Sequence, residues 1–321
     1  MSNPANTIAI IGGGMAGLSC AAALAKAGHS PVIFDKGRGP GGRMAARRAE
    51  VAGETVSFDH GAQFFTADTP EFAEQITAWE SSGLVELWSA AGDKSYVGVP
   101  GMNGPIRGMA DALDVRWGAR VSQAERQADG TWRLSFEGSS ETQHFTQVIC
   151  AIPAEQAAVL LAMSAPDYAA QAKGITSTPC WALMAAFAGP LNLPDAVKGG
   201  PSDPIAWAAR NSAKPERSGS ECWVIHGSAD FSQSIIDHSK EDAADALLEA
   251  FAAQTGTDLT ETVHTAAHRW LFAFPEVTNP QSHLWDERAQ LGVCGDWLAG
   301  PRVEDAFLSG SALAAAILNS Q

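Results

Sequence analysis

Gly12, Gly14 and Gly17 stand at a spacing suited to one task, bringing backbone up against a diphosphate. The first allows a tight turn, the second removes a β-carbon that would exclude the phosphates, and the third lets a helix pack closely on a strand. The run Thr7-Ile-Ala-Ile-Ile11 before them reads as a strand, and the alanine-rich run to Ala27 after them as a helix, with Gly28 at the position that favours a left-handed helix end. Met15 and Ala16 fall in the first turn of that helix, where unpaired N–H groups and a partial positive charge attract anions. Asp35 closes the next apolar run, Val32-Ile-Phe34, 35 − 12 = 23 positions after Gly12. That is close to the roughly 20 at which a carboxylate reaches the ribose hydroxyls of a dinucleotide. These residues predict a dinucleotide site and do not separate FAD from NAD.

Lys36-Gly-Arg38-Gly-Pro-Gly41-Gly42-Arg43 follows directly. Gly41 and Gly42 permit a second backbone segment to approach the same ligand, Arg43 can meet a pyrophosphate with two parallel hydrogen bonds, and Lys36 adds a cation; Arg38, Arg47 and Arg48 read as well as solvated charges. Together the two glycine runs resemble the glutathione-reductase-type flavoproteins, and more closely the flavin amine-oxidase superfamily, which implies FAD. The closing segment Gly295-Asp296-Trp297, with Gly300 and Asp305-Ala306-Phe-Leu-Ser309-Gly310, resembles the second flavin motif of that superfamily. The resemblance assigns Gly295, Asp296, Asp305 and Ala306 to the cofactor, with Asp296 on the ribityl chain and the last helix pointing its N-terminus at the flavin pyrimidine, where it favours the anionic reduced form. It also places Val121, Ile152 and Pro153 beside the nucleotide. Asp59-His60-Gly61-Ala62-Gln63-Phe64-Phe65 resembles the stretch along the isoalloxazine, although a turn before a helix explains His60 and Gln63 equally well. Cys294 precedes Asp296 on a strand, and the FAD is expected to be noncovalent.

Neither a second G-x-G-x-x-G after a strand nor a C-x-x-C pair occurs, so a separate pyridine-nucleotide domain and disulfide chemistry are both disfavoured. The substrate then meets the flavin directly. End to end, the chain resembles the renalase family, on Asp59 to Phe65, Trp223-Val-Ile-His226, Arg269-Trp270 and the closing Gly295-Asp296 segment. The resemblance implies oxidation of the 2- and 6-dihydro isomers of NAD(P)H to NAD(P)+, with O2 reduced to H2O2. Two alternatives stand beside it: a flavin-containing amine oxidase, for which a tyrosine cage is hard to build from Tyr96 and Tyr168 alone, and a flavin-binding module without turnover. His226 is the candidate for positioning substrate, and Trp207, Arg210, Asn211 and Trp270 are candidate substrate contacts; each also reads as a core or strand-end residue.

Around these residues, helical runs are expected near Glu71 to Ser81, Asp242 to Gln254 and Val303 to Leu318. Strands are expected at Trp132 to Phe136, Gln147 to Ile152, Trp181 to Phe187, Cys222 to His226 and Gln290 to Cys294, and loops at Gly39 to Gly42 and Pro190 to Pro204. The fold class this implies is α/β: a Rossmann-like, glutathione-reductase-type FAD-binding domain from 1–65, 100–160 and 280–321, with an inserted antiparallel-sheet α+β substrate domain from 66–99 and 161–279. A net charge of −15 repels nucleic acid, no apolar run reaches the roughly 20 residues of a membrane helix, and five dispersed cysteines give neither a disulfide framework nor a metal site. The start of the chain lacks the basic flank and apolar run of a signal peptide, which points to the cytoplasm. Nothing in the sequence sets an oligomeric state. The expected partners are a small-molecule substrate, a dihydronicotinamide isomer or an amine, and O2.

Overall fold

The computed structural model describes residues 7–217 and 219–320, so the outer tips of the expected segments 1–65 and 280–321 lie outside the described residues. The chain forms two compact units, one from Met1–Gly42, Ile106–Thr176 and Pro275–Gln321, the other from Arg43–Pro105 and Ser177–Phe274.

The first unit is built on a six-stranded sheet in the order Leu284–Asp286, Leu291–Val293, Gln147–Cys150, Ile8–Ile11, Val32–Asp35, Asp114–Trp117. All its pairings are parallel except the first. Ile8–Ile11 is buried along its whole length, as a central parallel strand covered on both faces must be. Alternate residues divide between two cores. Ile8 and Ile10 pack with Cys20, Leu24, Leu313 and Ile317 of helices Met15–Lys26 and Val303–Asn319. Ala9 and Ile11 pack with Trp132, Leu134, Phe145 and Leu161, from a three-stranded antiparallel sheet (Val121–Arg126, Trp132–Phe136, Thr142–Phe145) and helix Ala154–Leu161. A β-carbon on Gly310 would lie 2.1 Å from the Ala16 carbonyl oxygen, which is why the two helices can pack so closely.

In the second unit five strands run in the order Ala196–Lys198, Ile205–Arg210, Glu221–Gly227, Ser177–Phe187, Thr262–Pro275. Trp181, Leu183, Ala185, Phe187, Trp223 and Ile225 face Leu247 and Phe251 of helix Lys240–Thr255. Residues of the other parity, Met184, Ala186, Cys222 and Val224, face Val51, Val56 and Phe58 of the hairpin Arg47–Val51/Glu54–Phe58. That shared core holds 43–65 in the second unit, whereas the sequence placed them in the first. Helix Pro166–Lys173 shares the core of helix Ala154–Leu161 and holds 161–176 in the first unit; the division departs from the expected one also at 100–105, in the second unit, and at 275–279, in the first. The expected loop Pro190 to Pro204 contains the edge strand Ala196–Lys198, whose three residues are too few to show a period.

All five cysteines are buried free thiols. Burial pushes Cys150 and Cys180 up to about 12 and Cys222 up to about 11. Among the described residues, no helix is long and apolar enough to cross a membrane.

Candidate functional site

In the first unit the glycine turn is shaped by backbone. Gly12 has φ +113°, and a β-carbon on it would lie 2.3 Å from the Ala151 carbonyl oxygen. A β-carbon on Gly17 would lie 2.0 Å from Gly12 O, so both positions admit only glycine. Gly14 differs: a β-carbon there would meet nothing within 4 Å, so the space in front of it is open. Gly14 caps helix Met15–Lys26 without a side-chain hydrogen bond, and no acidic residue occupies the first turn, leaving the amides at Met15 and Ala16 for an anion. Gly42, at φ +53°, would bring a β-carbon to 3.9 Å from the Gly14 Cα, so the second glycine run does approach the first. Asp35 accepts from Gly13 N at 2.7 Å and from Gly37 N at 2.6 Å. Lys36 donates to Gln156 at 2.9 Å; burial lowers its pKa, helped by Arg120 and opposed by Asp35.

The other residues assigned to this unit have definite places. Val121 opens its strand opposite Phe136, Ile152 O accepts from Trp297 Nε1 at 3.1 Å, and Pro153 caps helix Ala154–Leu161. Asp296 is buried and opens a four-residue helix after Gly295, whose N–H donates to Ser309 Oγ at 2.9 Å. Asp305 joins Arg302 in a capping box at the start of helix Val303–Asn319, next to Ala306, and its carboxylate accepts from Arg302 N at 3.2 Å. This helix start therefore carries carboxylates, Glu304 and Asp305, where the start of helix Met15–Lys26 carries none.

In the second unit the sheet face that holds the hairpin continues into a polar, aromatic end. Ala182 and Trp207 are the register partners of His226 on either side, so Trp207 and His226 share a face. The segment Asp59 to Phe65 supplies their neighbours. His60 stacks on Trp270 with centroids 5.1 Å apart and meets His268 edge-on at 4.9 Å, while Phe64 lies 5.0 Å from Trp207. The His60 carbonyl accepts from Trp270 Nε1 at 2.9 Å and lies 3.3 Å from His226 Nε2. Gln63 Nε2 donates to Gly61 O at 3.0 Å and lies 3.5 Å from His226 Nε2. Ala62 N donates to Arg43 O at 2.8 Å, and a β-carbon on Gly61 would lie 2.0 Å from that same oxygen. Arg43 itself reaches Ala273 O at 3.3 Å.

Burial and neighbouring His268 lower His60 to about 4, and burial with the Lys214 charge lowers His226 to about 4. Both are neutral near pH 7. A neutral His226 whose Nε2 donates to the His60 carbonyl keeps Nδ1 as an acceptor.

Arg210 and Asn211, candidate substrate contacts, have their polar groups committed to structural partners within the unit. Arg210 donates to Glu221 at 2.5 Å and to Leu191 O and Leu193 O at 3.1 and 2.7 Å, and packs 5.0 Å over Trp223. Asn211 accepts from Asp59 N at 3.1 Å and donates to Ser57 O at 2.7 Å.

Residues 10–77 match an NAD(P)-binding Rossmann-like domain, and residues 79–318 match the flavin-containing amine oxidoreductases. The chain belongs to the flavin-containing amine oxidoreductase family. It is an FAD-dependent oxidoreductase. Solved structures of similar fold include a candidate protoporphyrinogen oxidase from Exiguobacterium sp. 255-15, with TM-score 0.77, 12% identity and 99% of each chain covered. Another is wild-type putrescine oxidase bound to putrescine, at 0.70 and 14%, covering 98% of this chain and 99% of that one. A 115-residue stretch is 30% identical to 15-cis-phytoene desaturase of Synechococcus elongatus, spanning 33% of this chain and 24% of that protein.

FAD suits the first unit on its own geometry: an open space at Gly14, an uncapped helix start and a strand-end carboxylate. What the sequence did not reveal lies in the second unit. Asp59, Lys214 and Arg217 are buried together, with Asp59 Oδ2 3.3 Å from Lys214 Nζ and 2.6 Å from Arg217 Nη2. Lys214 also donates to Gln63 Oε1 at 3.2 Å and lies 5.3 Å over Trp88. Burial alone would raise Asp59; the Lys214 and Arg217 charges, with the Met102 N–H, outweigh it and hold the carboxyl low. Burial lowers Lys214 to about 8 against the pull of Asp59. Two cations around one carboxylate leave an excess positive charge beside Gln63 and His226. The only sequence signal was two basic residues in an otherwise turn-like run.

Proposed function

We propose that this oxidoreductase oxidises the 2- and 6-dihydro isomers of NAD(P)H to NAD(P)+, with O2 as the electron acceptor. FAD held without a covalent link would supply the hydride-accepting chemistry, so that substrate hydride, O2 and one proton from solvent give NAD(P)+ and H2O2. The observation that carries the reading is the pairing of Trp207 with His226. Among the described residues, Trp207 Nε1 is a buried donor without a hydrogen-bond partner, and His226 is its register neighbour with an acceptor at Nδ1. A donor and an acceptor side by side complement the C=O and N–H of a nicotinamide carboxamide, which an alkylamine lacks. Electrostatics support the same choice. The contacts of His60, Gln63 and His226 bring in one carboxylate, Asp59, already shared by two cations, so the cluster repels an ammonium and tolerates a phosphorylated ligand. Trp270 holds the His60 carbonyl in place, and we assign Arg210 and Asn211 no substrate role.

The second reading, amine oxidation, draws on the structural likeness to putrescine oxidase. Mixing the purified yellow protein anaerobically with aged NADH containing its isomers, and separately with a panel of amines, distinguishes the two. Bleaching of the flavin by the isomers is the expected result; bleaching by amines alone would overturn the proposal.

A further inference from the structure

Gly13 sits between the fingerprint glycines Gly12 and Gly14 at a position the fingerprint leaves open. Two side chains crowd that position, Asp35, whose Cβ would lie 3.2 Å from a β-carbon there, and one from the strand beyond it. A β-carbon on Gly13 would lie 3.1 Å from Trp117 Cζ3 and 3.2 Å from Trp117 Cη2, so the benzo edge of the indole rests over the middle of the turn. Trp117 is the last residue of strand Asp114–Trp117 and the register partner of Asp35 on the adjacent parallel strand. The chain beyond it is tied to the same place, with Gly118 N donating to Gly37 O at 2.7 Å and Ala119 N to Asp35 O at 2.8 Å. The indole is half-buried, and among the described residues it has no ring partner. A tryptophan beside Asp35 thus reaches over the glycine turn, with part of its surface uncovered.

We propose that Trp117 is the wall against which the adenine ring of FAD rests. An adenine extending from a ribose held at Asp35 is a flat, uncharged π-system, and an indole whose following backbone is tied to Asp35 and Gly37 by hydrogen bonds offers a stacking surface that pays little ordering entropy on binding. The chain is acidic overall, so a neutral stacking contact also suits it better than a cationic one. Gly13 is then explained as the residue that lets the indole lie close over the turn.

The test strips the flavin and titrates the apoprotein with FAD, FMN and ADP, in wild type and in Trp117→Leu and Trp117→Phe. Losing one base–aromatic stack should raise the FAD and ADP dissociation constants of Trp117→Leu by about 5- to 150-fold. Trp117→Phe should stay near wild type, and FMN, which has no adenine, should bind all three proteins alike. FAD affinity within twofold of wild type in Trp117→Leu would overturn the proposal, as would an equal loss for FMN, which would mark a role in shaping the turn alone. Should Trp117→Leu fail to fold, fluorescence decides. ADP should quench tryptophan emission in wild type by more than in Trp117→Phe at equal occupancy, and equal quenching would sink the idea.

Discussion

The two units solve the problem of holding a ligand with opposite materials. In the first, the space at Gly14 exists because side chains are missing, and the groups that face it are backbone amides at a helix start. In the second, the polar end of the sheet is made of side chains, and a buried aspartate with two cations lies directly behind it. A backbone cradle tolerates no added atoms and is nearly indifferent to pH. A site of side chains can be tuned by charge, at the cost of burying groups that must stay paired.

Substitution of Gly14 gives the largest expected effect, because it separates ligand binding from folding. Gly14→Val fills open space at φ −86°, which any residue adopts, so the apoprotein should keep its thermal midpoint while purifying without yellow colour. Retention of flavin absorbance would break the comparison at its first term.

Asp59→Asn should do the reverse, costing stability first. It leaves Lys214 and Arg217 as uncompensated buried cations, for which roughly 3–5 kcal/mol is expected by urea unfolding. Lys214→Met should cost clearly less, because Asp59 and Arg217 remain as a neutral pair. Equal costs would mean that the excess charge is not what governs the cluster.

A third expectation concerns acid. His60 and His226 stand at about 4 in the folded protein, against about 6.5 in an unfolded chain. Unfolding therefore takes up protons between those values, and stability should fall as pH drops from about 6.5 to about 4. His226→Gln should make that decline shallower; an unchanged slope would show that the ring is not held neutral. Smallest is Trp270→Phe, which keeps an aromatic ring against His60 and removes one hydrogen bond to the His60 carbonyl, worth about 1 kcal/mol by urea unfolding.

The same contrast governs what could be read from the sequence. Gly12, Gly14, Gly17 and Asp35 announce themselves because a backbone site is local, and its spacing is fixed by one turn and two strands. The Rossmann-like half was legible for that reason. Lys214 and Arg217 were not, since 155 and 158 residues separate them from Asp59 and nothing local marks a buried cation. Of strand Thr262–Pro275 only Trp270 read as a strand end: the inward side chains include His264, His268 and Trp270, which blur the apolar alternation that marks a strand. Trp207 and Trp270 were picked out by residue type, but only the register that sets Trp207 beside His226 turns a tryptophan in an apolar run into half of a donor–acceptor pair.

The buried cysteines acquire a meaning from the chemistry proposed for the chain. An enzyme that releases hydrogen peroxide exposes itself to its own product, and peroxide attacks thiolates far faster than thiols. Cys150, Cys180 and Cys222, pushed up to about 12, about 12 and about 11 by burial, stay protonated at any physiological pH. Under the proposed chemistry, the burial that keeps these thiols protonated would also shield them from peroxide.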